Sequence, residues 1–174
     1  MRRSIVLLAT MTLALLLASG VALAVTKTCQ ANTDCFGTTK GDTLTGSAGN
    51  DLIYGLGGPD TIRGKAGDDY LAGGSGDDDI KGNNGNEVRI LGGAGDDFLD
   101  GGAGMDQIAA GAGNDTVFGG LDNDSILVFG DQVAGFQDDV FCGPGIDSVS
   151  ADPGDDIHDS VDQFCEQVEI VPVN

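Results

Sequence analysis

The chain has 174 residues, 30 of them Gly, and carries 28 Asp and Glu against 8 Lys and Arg, a formal charge of −20. That balance excludes nucleic acid as a partner, because a phosphate backbone is held by Lys and Arg. With 7 Phe, 2 Tyr and no Trp there is also too little bulky apolar material for an ordinary enzyme core. No Lys or Arg follows Arg89, yet 18 acidic residues lie between Ile90 and Asn174, so something positive must bind there.

In chain order, residues 1–24 read as a secretory signal peptide: Arg2 and Arg3, an apolar run from Ile5 to Ala18, then Ala22-Leu23-Ala24 as a small-x-small cleavage site. The run is shorter than the roughly 20 apolar residues a spanning helix needs, so no membrane span is expected. Cleavage removes two basic residues and leaves a net charge of 6 − 28 = −22. The expected location is therefore secreted, extracellular. In an oxidising compartment the four cysteines suggest two disulfides. Position favours Cys29 with Cys35 and Cys142 with Cys165, each pair flanking one end of the Gly-rich segment, though three pairings are possible. A zinc site is the competing reading, but there is no Cys-x-x-Cys, and the one histidine is His158. Residues 25–36 form an N-terminal cap in this reading.

From Gly37 the chain falls into nines: GTTKGDTLT, GSAGNDLIY, GLGGPDTIR, GKAGDDYLA and GGSGDDDIK. An irregular ten-residue unit, GNNGNEVRIL, follows, and GGAGDDFLD, GGAGMDQIA, AGAGNDTVF and GGLDNDSIL resume the register to Leu127. Position six is Asp42, Asp51, Asp60, Asp69, Asp78, Asp97, Asp106, Asp115 and Asp124, with Glu87 in the irregular unit. Position eight, once the inserted residue of the irregular unit is allowed for, is aliphatic throughout: Leu44, Ile53, Ile62, Leu71, Ile80, Ile90, Leu99, Ile108, Val117 and Ile126. The first six positions suit a turn, with Gly, Asn and Asp tolerating positive φ, and the last three suit a short strand with one inward aliphatic. Two units then make one 18-residue coil whose strands stack in parallel on the coils before and after.

One aliphatic per unit is too thin a core to offset the backbone entropy of ordering the array. Stacking also sets equivalent aspartates about 4.8 Å apart, where neighbouring carboxylates repel by about 1 kcal/mol even in water. Calcium resolves both difficulties, since it accepts six to eight oxygens from carboxylates and backbone carbonyls in flexible geometry, whereas magnesium demands a strict octahedron. Several Ca2+ ions per chain are expected, and without them the array is expected to be loose or unfolded.

The unit GGxGxDxUx, matched at every fixed position by GGAGDDFLD and GGSGDDDIK, resembles the repeat of the hemolysin-type calcium-binding (RTX) family. The resemblance covers residues 37–127 and implies a right-handed parallel β-roll, an all-β solenoid, with calcium between its turns. It further implies that the nine position-six aspartates are ligands, completed by turn carbonyls. Glu87 falls in a row with Asp51, Asp69, Asp106 and Asp124, where a weakened or missing ion is expected. Residues 128–174, including the weaker units VAGFQDDVF and CGPGIDSVS, read as degenerate repeats and a C-terminal cap.

No catalytic site assembles from the sequence: His158 is the sole candidate base, and no GxSxG-type serine accompanies it. The function read from the sequence is non-catalytic calcium binding with folding on the ion. A carbohydrate-binding or adhesion module, contacting extracellular polysaccharide or a cell surface, is the first alternative, and a polysaccharide-modifying enzyme the second. The former needs an exposed aromatic row, for which Tyr54, Tyr70, Phe98 and Phe118 read as too scattered.

Overall fold

The computed structural model describes residues 23–30, 33–128, 136–158 and 165–171. The expected signal peptide lies outside them apart from Leu23 and Ala24, as do parts of the C-terminal segment. Two eight-stranded sheets face one another. One contains, in spatial order, β1 (Thr26–Thr28), β3 (Thr43–Thr45), β5 (Thr61–Ala66), β7 (Asp79–Asn84), β9 (Phe98–Ala103), β11 (Thr116–Leu121), β13 (Asp139–Phe141) and β15 (Asp156–His158). The other contains β2 (Asp34–Phe36), β4 (Leu52–Gly57), β6 (Tyr70–Ser75), β8 (Arg89–Ala94), β10 (Gln107–Ala112), β12 (Ser125–Val128), β14 (Ser148–Ala151) and β16 (Gln167–Ile170). Successive strands alternate between the sheets and all pairings are parallel, with equivalent positions in register, as in Ile62 opposite Ile80 and Leu71 opposite Ile90. This is the all-β parallel β-roll that the nonapeptide period predicts, with no helix among the described residues.

The period works because one side chain per unit points inward. All ten position-eight aliphatics are buried, none more than 2% exposed, and Val140 and Val149 extend the same two columns. Disulfides Cys29–Cys35 and Cys142–Cys165 lie towards the two ends of this core, in the pairing favoured by position. Segments set apart on sequence grounds as caps supply outer strands of the same sheets: β1 and β2 before the regular repeats, β13 to β16 after them.

Two local expectations need correction. Strands β4 to β11 are six residues long, spanning positions seven to nine of one unit and one to three of the next, so the turn between them shrinks to three residues. Backbone pairing is the reason: Lys65 opposite Asn83 and Ala66 opposite Asn84 continue the ladder begun by Thr61 and Asp79. Positive φ also falls at the second and fourth positions rather than the fifth. Gly74 and Gly76 have φ of 119° and 121°, and Leu56, Lys65 and Asn83 hold the second position at φ of 82°, 89° and 82°. The extra residue of the irregular unit is Val88, which bulges outward at 55% exposure and leaves the register of Arg89 against Tyr70 intact. Its flanking hydrogen bonds, Arg89 N to Asp69 O at 3.4 Å and Gln107 N to Glu87 O at 3.3 Å, are longer than the 2.8 Å of Thr61 N to Asp42 O.

Stacked coils approach closely at the fourth position, which is Gly in most units. Gly104 has a φ of 126°, and a Cβ there would collide with the carbonyl oxygen of Gly85 in the coil before. Gly104→Ala is expected to cost about 2 kcal/mol or more. Differential scanning calorimetry should show a lowered transition, and an unchanged one would contradict this packing.

Candidate metal centre

The fold turns the sixth position into two continuous rows of buried carboxylates. In the first row each backbone N–H donates to Oδ1 of the aspartate one coil later: Asp42 to Asp60 at 2.7 Å, Asp60 to Asp78, Asp78 to Asp97, Asp97 to Asp115 and Asp115 to Asp138 each at 2.8 Å. Asp138 N then reaches Asp155 Oδ1 at 3.2 Å. In the second row Asp51 donates to Asp69 at 2.8 Å, Glu87 to Asp106 and Asp106 to Asp124 at 2.9 Å, and Asp124 to Asp147 at 2.8 Å. The nine aspartates singled out by the repeat are all buried, none more than 3% exposed, and the topology divides them between these rows. Asp138 and Asp147, both fully buried, extend them. Sequence reasoning omitted those two as ligands, although each holds the sixth position of a degenerate unit. The separation from Asp115 to Asp138 and from Asp124 to Asp147 is 23 residues instead of 18, which hid the continuity.

The carboxylate oxygen that does not join the ladder leans over the leading glycine of its own unit. A Cβ on Gly55, Gly73 or Gly101 would overlap the carboxylate of Asp60, Asp78 or Asp106 respectively. That explains the first glycine of the repeat as a cradle, a role invisible in composition. Oδ2 of Asp60, Asp69, Asp78, Asp97, Asp124 and Asp147 is buried without a hydrogen-bond partner. Glu87 departs from this pattern: its longer side chain does not accept the N–H of Asp69 but faces the carboxylate of Asp106, and the ladder of the second row breaks there. A buried carboxylate oxygen with no donor is costly, and a run of them at one-coil spacing is costlier.

Burial drives their protonation equilibria upward. It raises Asp69 and Asp78 to about 6 and Asp97 and Asp124 to about 7, against the lowering effect of the backbone N–H from the previous coil and with further elevation from neighbouring carboxylates. Asp60, Asp106 and Asp147 are raised for the same first reason. Glu87 is raised well above the carboxylate range by burial and then by its contact with Asp106. An oxygen-only donor set with free buried oxygens, lined by glycine, fits a hard divalent cation, and neither row offers sulfur or imidazole.

The family model for the RTX calcium-binding nonapeptide repeat matches residues 36–71, 54–86 and 89–126, about half of the chain. The protein belongs to the RTX calcium-binding nonapeptide repeat family. None of the curated proteins and none of the solved structures compared with it matches. Family and β-roll together support calcium binding by these RTX repeats. A second ladder, which the sequence did not reveal, runs on the outside of the RTX turns at the fifth position and in the opposite sense. Here Asn50 Oδ1 accepts from Asp68 N at 3.0 Å, Asp68 from Asn86 N at 3.1 Å, and Asp96 from Asn114 N at 2.9 Å. Its signal was the recurrence of Asn and Asp at that position.

The outer face of the RTX roll corrects the view of the aromatic residues as scattered. Phe98, Phe118, Phe141 and His158 form one continuous stack with centroid separations of 5.4, 4.7 and 4.3 Å. Lys81 sits 4.5 Å above Phe98 at its start. Phe36, Tyr54 and Tyr70 form a shorter stack on the other sheet, at 5.1 and 5.5 Å. Positions seven and nine both face outward, so rings at different repeat positions meet diagonally across adjacent strands. His158 Nε2 also lies 3.7 Å from Asp139 and 3.9 Å from Asp156, which accounts for a histidine in an acidic stretch.

Because the buried carboxyls are raised in the folded form, calcium-free folding takes up protons. The stability they lend the calcium-free roll is present in full below the ordinary carboxylate range near 4 and is lost as pH rises through about 6 to 7. In chelator, the β signal in circular dichroism should therefore grow as pH is lowered from about 8 to about 5; a signal that weakens on acidification would contradict it.

Proposed function

We propose that the protein is a secreted, non-catalytic calcium-binding module whose repeat folds on taking up several Ca2+ ions. The ligands in this reading are Asp42, Asp51, Asp60, Asp69, Asp78, Asp97, Asp106, Asp115 and Asp124, joined by Asp138 and Asp147. One observation carries it: two rows of buried carboxylates, spaced by one coil, in which Oδ2 of Asp60, Asp69, Asp78, Asp97, Asp124 and Asp147 lacks a hydrogen-bond donor. A dication held by these carboxylates would supply the missing partner and offset their repulsion. When bound, calcium contributes Lewis-acid cross-linking and charge neutralisation, while the chain contributes carboxylates held by backbone N–H groups and glycine cradles that keep side chains out. Low calcium inside the cell keeps the chain export-competent, and roughly millimolar calcium outside suits the weak sites of extracellular modules. The row is weakest at Glu87, where the ladder is broken.

Removal of the signal peptide after Ala24 delivers the chain to that environment, and the two disulfides suit it. Circular dichroism and isothermal titration calorimetry should show β structure appearing with several ions bound; no spectral change up to about 10 mM calcium would defeat the reading. Asp60→Asn with Asp78→Asn, adjacent rungs of one row, should lose affinity non-additively, and Glu87→Asp should tighten binding.

A carbohydrate-binding or adhesive role gains support from the aromatic stack. Phe98, Phe118 and Phe141 wall a groove of about 380 Å³ floored by Gly120 and Gly143 and closed by Leu121 and Pro144. Depletion of the calcium-loaded protein from solution by insoluble polysaccharides, reduced in Phe118→Ala, tests this role. Equal retention of both proteins would remove it.

A further inference from the structure

Each rung of the first carboxylate row receives a backbone N–H from the coil before it, and at the head of the row that donor is Val25. Its N lies 2.5 Å from Asp42 Oδ1. The residue is well seated: Val25 O accepts from Thr43 N at 2.8 Å, and its half-buried side chain packs against the core. Val25 thus stands 17 residues before Asp42, where the row places an aspartate of a preceding coil. The two residues ahead of it, Leu23 and Ala24, are exposed and end the small-x-small pattern Ala22-Leu23-Ala24.

Resting on the reading of residues 1–24 as a removable signal peptide, we propose that hydrolysis of the Ala24–Val25 bond gives the row its own covalently attached cation, the α-ammonium of Val25, paired with Asp42. Water adds across the peptide C–N bond: its hydroxyl goes to the carbonyl carbon of Ala24 and its remaining proton to the nitrogen of Val25. At neutral pH the new carboxyl ionises and the new amine is mostly protonated. The donor atom is already in place before the cut, but it changes from a neutral amide to an ammonium. Charge-assisted hydrogen bonds are roughly twice as strong as neutral ones, and here the positive charge faces the first of a row of like charges. Only in the processed chain does the head of the row carry this positive charge, and processing therefore stabilises the fold there.

The test expresses the full chain with its leader and purifies the exported product. Mass spectrometry identifies its first residue, and half the sample is acetylated selectively at the α-amine under mildly acidic conditions. Acetylation keeps an N–H donor and removes the charge, as in the uncut chain. The unmodified protein is expected to show a folding equilibrium constant roughly fivefold larger, read from urea midpoints in saturating calcium. Asp42→Asn should abolish the difference, while Asp60→Asn, one rung further on, should retain it. A product beginning anywhere but Val25, or equal midpoints with and without the acetyl group in both wild type and Asp60→Asn, overturns the proposal. Should Asp42→Asn fail to fold, the wild-type and Asp60→Asn pairs decide. Absence of any calcium response sinks the calcium reading separately, since the contribution of the ammonium is read by comparing acetylated with unmodified protein under one condition.

Discussion

Carboxylates buried in single file, one per coil, are the constraint on which the rest of this structure depends. In the glycine-led units the leading glycine leaves room above its Cα for the carboxylate, as Gly73 does for Asp78. The carboxylate is held there by one backbone N–H from the neighbouring coil, which engages Oδ1 and leaves Oδ2 buried and unanswered in most rungs. The same 18-residue offset that stacks Ile62 on Ile80 stacks Asp60 on Asp78. The core column and the charged row are therefore two consequences of one coil length, and neither can be relieved without the other. Because the apolar column is a single side chain wide, the charged row is not a minor defect in an otherwise stable body.

The turns distribute their polar groups so that the two ladders oppose each other. At the sixth position a later carboxylate accepts from an earlier N–H, buried; at the fifth an earlier Asn or Asp accepts from a later N–H, exposed. Each turn is thereby pinned to its neighbours on both sides, with the inner ladder paying in desolvation and the outer one bathed in water. The irregular unit shows how narrow the tolerance is. One extra residue, Val88, is absorbed as an outward bulge, yet the added methylene of Glu87 misplaces the carboxylate and breaks the inner ladder.

Much of this was legible in the sequence because a solenoid is nearly one-dimensional: the partners of a residue lie one coil away, and the period states the coil. The parallel sheets, the ten buried aliphatics, the nine aspartates in two rows and the place of Glu87 in the second row all follow from position within the nine. Other features escaped for physical reasons. Strand length depends on hydrogen bonding by glycines that composition assigns to turns. Phe98 and Phe118 occupy different repeat positions, so a reading position by position separates rings that touch diagonally at 5.4 Å. Asp138 and Asp147 keep their repeat position but follow an insertion that broke the count.

What the sequence determined by itself is the repeat: coil length, inward aliphatic and inward carboxylate, since these need only the period and the alternation of a strand. What only the tertiary structure decided is which atoms those side chains meet. The glycine cradle, the unpartnered Oδ2 atoms, the opposed outer ladder, the aromatic stack and the seating of Val25 against Asp42 all arise from contacts between coils. A linear period fixes the spacing between such groups, but their approach, direction and burial depend on backbone conformations, such as the positive φ of the second and fourth positions, that close the turns.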